Sequence, residues 1–364
     1  MYALLGLGAA LAAWGLLRGL EETRLRWWAI YAGAATVTLY AHNLGAFVLL
    51  ALHALVAFRS RWRRHLPRLA LADLLILLLF SPWLVMVLPG QIGFVERGYW
   101  LSSPDLDEVV RAVMLPVLTF YEPAPLWLLG IGLLTSLLIL AFLALRAWRS
   151  RSGVGGFLLL SWAPIVSLLL ISSWRPIYLE RALLPSALFY LVAVGWLLTQ
   201  GGLPKIVRMG LAALLAVCSL GSLSVHYTYA GFPRPPFQEA AAHLHANVQP
   251  EDAVVHTNKL TYLPMHYYSP DVAGVFLADP SGSPQDTLAR PTQEALDLFA
   301  TSTITAAVGE ANRVWLVVFP REMEEMEALG ATSSAQRWLK NRFVKDSEKC
   351  FQALSLILYE GEDH

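Results

Sequence analysis

Two short polar segments interrupt the long apolar runs of this chain, and both carry residue types that hold or move charge. The first is Tyr40-Ala41-His42-Asn43-Leu44-Gly45. An imidazole and a carboxamide between apolar stretches must find partners, because polar groups at membrane depth are costly. Either they hydrogen-bond locally in a helix-breaking turn, or they face a ligand. The second is Trp174-Arg175-Pro176-Ile177-Tyr178-Leu179-Glu180-Arg181-Ala182-Leu183-Leu184-Pro185. A guanidinium at Arg181, where a span begins, can hold an anionic phosphate by a bidentate bond strengthened by the low local dielectric. The other reading is a snorkelling side chain paired with Glu180 or with lipid head groups, and position alone favours it. Asp73 stands five residues inside a span beginning at Leu69, where pairing with an arginine of 59–68 is the preferred reading. Five acids, Glu96, Asp105, Asp107, Glu108 and Glu122, lie in the segment 90–123. A carboxylate there could take the proton of an acceptor hydroxyl. Asp105 to Glu108 are better explained as first-turn charges of a surface helix, which leaves Glu96 and Glu122 as weaker candidates for a catalytic base.

The elements that must position these residues are apolar helices. The chain has 364 residues, 56% of them hydrophobic and 15% charged, where a soluble domain carries about 25% charge. The deficit is confined to residues 1–230. Residues 231–364 have an ordinary globular composition, which predicts two domains. Net charge is zero, so no bulk field argues for nucleic acid. Two cysteines, Cys218 and Cys350, make no disulfide framework. Stretches 69–88, 124–145, 155–173, 182–199 and 206–225 are long and apolar enough to span a bilayer, and 2–17 is a shorter candidate. The stretch 27–58 is too long for one straight span and short for two. With His42-Asn43 near its middle it is expected to form two short helices meeting there, with a single broken helix as the alternative.

Loop charge sets orientation, since Lys and Arg concentrate on the cytoplasmic side. One set of loops carries Arg59, Arg61, Arg63, Arg64 and Arg68, then Arg146, Arg149 and Arg151, then Lys205 and Arg208. The alternate set carries only Arg97, Arg111, Arg175 and Arg181. The first set is therefore expected inside, which places the C-terminal domain outside the cell membrane. Counting backward, the hairpin reading puts Met1 outside, which suggests that N-terminal helices of a longer parent are missing. In the outer segment, Ser103-Pro104-Asp105 predicts a helix start with Pro at the first helical position. The spacing of Leu106, Val109, Val110, Val113, Met114 and Val117 predicts an amphipathic helix on the membrane surface.

In the C-terminal domain the pattern predicts helices at 237–248 and 333–342. Strands are expected at 253–257, 272–277, 313–319 and 354–359, and a loop at 279–291, together a small α/β layer. No Gly-rich phosphate loop, paired metal-ligand motif or nucleophile elbow appears there. His243 and His245 are expected at the surface. Tyr262, His266, Tyr267 and Tyr268 could line a sugar-binding face, but are better read as core or interfacial aromatics.

These segments together resemble the membrane glycosyltransferases of the GT-C superfold, specifically bacterial relatives of the protein O-mannosyltransferases (glycosyltransferase family 39). Tyr40-Ala41-His42-Asn43-Leu44-Gly45-Ala46-Phe47 is similar to the family's Tyr-Thr-His-Tyr-Phe-Gly segment. Arg175 to Pro185 is similar to its Pro-Val-Phe-x-x-Arg-Tyr-Leu segment, with Ala182 where the family has Tyr and Asn43 where it has an aromatic. Phe237-Gln238-Glu239-Ala240-Ala241 and Pro250 to Val255 resemble its extracytoplasmic tail. The resemblance implies a GT-C-like polytopic α-helical membrane protein with a small extracytoplasmic α/β domain. It implies a hexosyl or pentosyl transferase that moves a sugar from a polyprenyl-phosphate donor to an acceptor at the outer face. Arg181 carries over as the donor-phosphate ligand and His42 as a pocket residue. Tyr178 and Arg175 share the Arg181 segment and complete the expected substrate-binding set. No metal or resident cofactor is implied; the partners are membrane lipids and the lipid-linked sugar. The family's base is an acid in the first outer loop, and no counterpart stands near Met1. A missing catalytic segment, with this chain an inactive fragment, is therefore one expectation. A non-catalytic membrane subunit, or a transporter of lipid-linked sugars or of polysaccharide assembly, is the alternative.

Overall fold

A computed structural model describes residues 1–96, 103–114, 124–149, 153–228, 235–272, 274–278, 290–321 and 334–361. The chain divides into two compact units, Met1–Tyr229 and Ala230–His364.

The first unit is helical: α1 Tyr2–Glu22, α2 Leu25–Ala41, α3 Ala46–Phe58, α4 Leu66–Met86, α5 Leu88–Glu96, α6 Leu106–Met114, α7 Leu126–Arg149, α8 Val154–Ser172, α9 Leu184–Gln200 and α10 Lys205–Thr228. Among the described residues, six helical stretches are long and apolar enough to cross a membrane. The first runs over Tyr2–Glu22, longer than the 2–17 expected, because Arg18 and Glu22 pair one turn apart at 3.1 Å and let the helix continue past the apolar run. The stretch 27–58 forms two helices that meet at a short 3-10 turn, Asn43–Gly45. Leu71, Leu74, Leu75, Leu77, Leu78 and Leu79 of α4 are exposed, an apolar face that lipid can cover. The unit is compatible with a polytopic membrane protein.

Small residues let these helices approach closely. A Cβ at Gly8 would lie 2.6 Å from Thr38 Oγ1, and one at Gly45 would lie 2.7 Å from Thr38 Cγ2. Thr38, fully buried, returns its hydroxyl to the Ala34 carbonyl at 2.7 Å. Thus α1, α2 and the start of α3 converge on one threonine. The pairing sets α1 against α2 and α2 against α3 in opposite directions. The remaining contacts continue the alternation: Gly6 faces Leu184 and Leu188, Gly156 faces Leu55 and Arg59, and Arg146 donates to the Gly202 carbonyl at 2.9 Å. One end of the unit therefore gathers Arg24, Arg59, Arg61, Arg146 and Lys205. The opposite end gathers Tyr2, the His42 turn and the Arg181 segment.

Asp73 does not pair with an arginine of 59–68. Its carboxylate lies 2.8 Å from His53 Nε2 and accepts from Tyr31 Oη at 3.2 Å. The reason is helix phase: about 10 Å into α4 the residue faces α2 and α3, while Arg59 to Arg64 precede the helix and Arg68 lies in its first turn.

The second unit is a five-stranded sheet in the order β2-β1-β3-β5-β4, with β1 Ala253–His256, β2 Val275–Phe276, β3 Arg313–Val318, β4 Phe343–Phe351 and β5 Leu354–Gly361. Strands β2, β1 and β3 are parallel, while β5 and β4 run antiparallel to their neighbours. Helices α11 Phe237–Asn247, α12 Lys259–Tyr268, α13 Arg290–Leu296, α14 Ile304–Val308 and α15 Ser334–Lys340 complete the described part. Apolar clusters lie on the two faces of the sheet, one built on Trp315 and Val317, the other on Val314 and Leu316. The alternation of β3 sends successive side chains to opposite faces. The 272–277 run yields only the two-residue strand β2, and β4 and α12 have no counterpart in the sequence reading. The expected loop 279–291 lies outside the described residues up to 289. His245 is exposed and lies 3.2 Å from Asp271. His243 is not a plain surface residue: it is half-buried, edge-on to Trp315 and tilted against Phe351.

Asp252 ties this unit together. Its side chain is 2% exposed and accepts from Trp315 Nε1 at 2.9 Å and from the Gln249 amide at 2.9 Å, with Arg313 Nη1 at 3.5 Å. Asp252→Ala is expected to destabilise this unit by about 1–3 kcal/mol, since it leaves the Trp315 indole N–H unpaired, while Arg313 keeps Glu360 at 3.2 Å. Limited proteolysis of the whole protein across a temperature series measures it; a shift below about 1 kcal/mol would show that Asp252 is dispensable.

Candidate functional site

The end opposite the arginine-rich one brings the two polar segments together. Helix α2 stops at Ala41 because His42 turns extended. His42 Nδ1 accepts the Leu44 amide at 3.2 Å, and the Gly45 amide donates to the His42 carbonyl at 2.9 Å. Local bonding therefore accounts for much of the polarity of this turn. An accepting Nδ1 places the ring proton on Nε2 in the neutral form. The half-buried ring lies 5.8 Å from Tyr2, and the Asn43 side chain is a further hydrogen-bonding partner of the imidazole. Asn43 donates to Gln91 Oε1 of α5 at 3.1 Å, fixing the turn from the other side.

The second segment leaves α8 at Ser172 through a turn over residues 173–175, reaches an extended Leu179, and enters α9 through a 3-10 turn, Glu180–Leu183. Pro185 stands in the first turn of α9, where a missing amide proton costs nothing. Tyr178 is buried in a cluster with Ala112 of α6, Ile165 and Leu168 of α8, and Leu183. Leu44 and Phe47, from the His42 turn and α3, pack against the same cluster. One apolar core thus anchors both segments and α6.

Arg181 is exposed, and it makes no hydrogen bond or ion pair with the described residues. The expected Glu180 partnership is electrostatic only. Arg175 is exposed, and only its backbone is bonded, to the Ile171 carbonyl at 3.0 Å. Tyr178 Oη is buried with no hydrogen-bond partner among the described residues. Burial first, and then the charges of Glu180 and Glu108, push the phenol well above its usual range. It therefore stays protonated and acts as a neutral hydroxyl that donates or accepts a hydrogen bond.

Helix α6 begins one residue after the expected Pro104-Asp105 junction. Asp105 itself is the cap, accepting the Glu108 amide at 2.8 Å, while Glu108 accepts the Asp105 amide at 3.2 Å. This reciprocal capping places Pro104 before the helix rather than in it. Arg111 forms a close double contact with Asp107 and carries its charge toward Glu180. Glu96 closes α5. Glu122 lies outside the described residues, as does Val117 of the expected amphipathic run. Arg111 and Gln91 carry no sequence signal for this site, and Glu108 reads there as a first-turn charge, because no spacing along the chain encodes which helix end α6 covers. Among the described residues no group of three His, Cys, Asp or Glu could hold a metal ion.

An unpartnered buried hydroxyl contributes little to folding, so Tyr178→Phe is expected to leave stability within about 0.5 kcal/mol or raise it. Tyr178→Ala should cost about 3–5 kcal/mol through the cavity it leaves. Thermal unfolding in detergent separates the two; a phenylalanine variant as damaged as the alanine one would mean that the hydroxyl holds the fold.

Compared with known proteins, the chain finds no match among family models, curated proteins or solved structures.

Proposed function

We propose that this chain is a glycosyltransferase, or a large piece of one, that uses a polyprenyl-phosphate sugar as donor. The observation that carries the reading is the shared core of Tyr178, Leu183 and Leu44, which sets the Arg181 segment beside the His42 turn at one end of the bundle. The other support is chemical. Arg181 is an exposed guanidinium without an ion-pair partner among the described residues, at the start of an apolar helix, where a lipid carrier would present its phosphate.

In the proposed reaction an acceptor hydroxyl attacks the anomeric carbon. The bond from that carbon to the phosphate oxygen breaks, and the electron pair leaves with the polyprenyl phosphate. Arg181 neutralises the charge that grows on the leaving phosphate. Tyr178 Oη and His42 Nε2 are neutral donors for sugar hydroxyls or for a phosphate oxygen. The hydroxyl proton passes to a carboxylate; Glu180 and Glu108 are described carboxylates whose charge reaches Tyr178. The small arginine count of the alternate loops supports the reading that this end, and the C-terminal unit, face the outer side of the plasma membrane.

Binding of radiolabelled polyprenyl-phosphate sugar to the purified protein tests the reading, alongside sugar transfer in membranes. Arg181→Ala is expected to weaken donor binding about ten- to hundredfold, the worth of one charge-assisted bond. Arg181→Lys should recover part of it, since an ammonium keeps the charge but loses the bidentate fork. Absence of donor binding by the unaltered protein, or an alanine variant that binds equally well, would remove the proposal.

A further inference from the structure

The arginine-rich end of the helical unit holds a second polar feature that glycosyl transfer does not use. A cavity of about 280 Å³ opens there between α1, α3 and α8. Leu17, Leu55 and Phe157 give it an apolar wall, and Arg59 and Arg61 supply two positive charges. Both guanidiniums lie over the buried Trp62 ring, at 4.7 and 4.9 Å from its centre. That stacking orders the two cations without neutralising them.

Other arginines at this end are already engaged. Arg18, Arg24 and Arg26 all turn to Glu22, Arg63 donates to the Ala57 carbonyl, and Arg146 donates to the Gly202 carbonyl. Arg59 and Arg61 make no ion pair or hydrogen bond with the described residues. Burial, and then the Arg61 charge, push the Arg59 guanidinium below its usual range, a cost that a nearby anion would relieve. Gly156 keeps the space open: a Cβ there would lie 3.1 Å from Leu55 Cδ1 and 3.7 Å from Arg59 Nη2. Glu21, which also lines the cavity, leaves a net charge of one positive and an acceptor for a hydroxyl or ammonium.

We propose that this cavity binds the phosphate-bearing head group of a membrane lipid, with Arg59 and Arg61 on the phosphate and an acyl chain against Leu17, Leu55 and Phe157. A lipid fits better than free phosphate because the cations stand beside an apolar wall at the ends of span-length helices, where head groups and acyl chains meet. The site is independent of the glycosyltransferase reading and lies at the other end of the unit.

Native mass spectrometry of the detergent-purified protein tests it, with phosphatidylglycerol, diacylglycerol and inorganic phosphate as probes. Phosphatidylglycerol is expected to stay bound, diacylglycerol to be lost, and inorganic phosphate to leave the lipid in place. The double variant Arg59→Gln/Arg61→Gln should hold the lipid about tenfold or more weakly. Gly156→Val, which fills the space but keeps every charge, should lose it as well. Arg68→Gln/Arg208→Gln, with the same change in net charge at the same end, should retain it. Displacement of the lipid by inorganic phosphate would overturn the lipid assignment. Equal losses in the two double variants would reduce the binding to bulk attraction and overturn the site.

Discussion

The helical unit depends on a reversal of the chain between two apolar helices, α2 and α3. In lipid no water is present to satisfy a broken helix, so each freed amide needs a partner within the protein. The break at His42 meets that demand with its own residues. The imidazole takes one amide, the His42 carbonyl takes another, and the Thr38 hydroxyl folds back onto its own helix. Because these bonds are local, the surrounding helices can approach without polar groups of their own. Gly8 and Gly45 then bring backbone against Thr38, and the three-helix contact follows. A larger residue at either glycine would push apart the helices whose ends carry the proposed site.

The Asp73 carboxylate solves a related problem at the other end of the same helices. A lone carboxylate within a span is costly, and it is stabilised by donors from two neighbouring helices, Tyr31 on α2 and His53 on α3. It fixes the relative depth of α2, α3 and α4, which the apolar contacts alone would fix poorly. Between them, the Thr38 contact and the Asp73 bridge determine how the hairpin of α2 and α3 sits, and hence where the His42 turn emerges.

Much of this was legible in the sequence, and the exceptions share a cause. Apolar run length located the spans, and His42-Asn43 within such a run marked the break. The strong strand Arg313–Val318 and the helix from Phe237 were evident from composition and period. Strand β4 was not, because Phe343–Phe351 reads Val-Lys-Asp-Ser-Glu-Lys and is exposed along nearly its whole length. It is an edge strand whose charged side chains suit an unpaired side, so it lacks the apolar signal of a buried strand. Asp73 was assigned to the wrong partner for a complementary reason. Sequence distance favoured the nearby arginines, whereas helix phase turned the carboxylate toward residues 20 and 42 positions away. At the candidate site the segment around Arg181 stood out by residue type, while its neighbours on α6 did not, since their proximity is a tertiary fact.

The two ends of the helical unit differ in how they handle positive charge, and the difference bears on what each can bind. At the arginine-rich end a single carboxylate, Glu22, gathers Arg18, Arg24 and Arg26, so much of the local charge is internally balanced. What remains available there is paired by an indole rather than by an acid. At the opposite end cations are few, and Arg111 is already drawn to Asp107. Arg181 therefore carries a large share of that end's attraction for an anion, with Glu180 beside it setting an opposing charge. Such a balance suits a ligand that must leave as well as arrive. In the proposed reaction, a phosphate held by one guanidinium next to a carboxylate would be bound through a few strong contacts and released when its charge or its attached sugar changes. A phosphate between two stacked guanidiniums has no comparable opposing contact at close range except Glu21, and an acyl chain would add apolar area to the same complex. The charge arrangement thus fits the two proposals differently, with exchange of the ligand at the Arg181 end and retention at the Arg59 end.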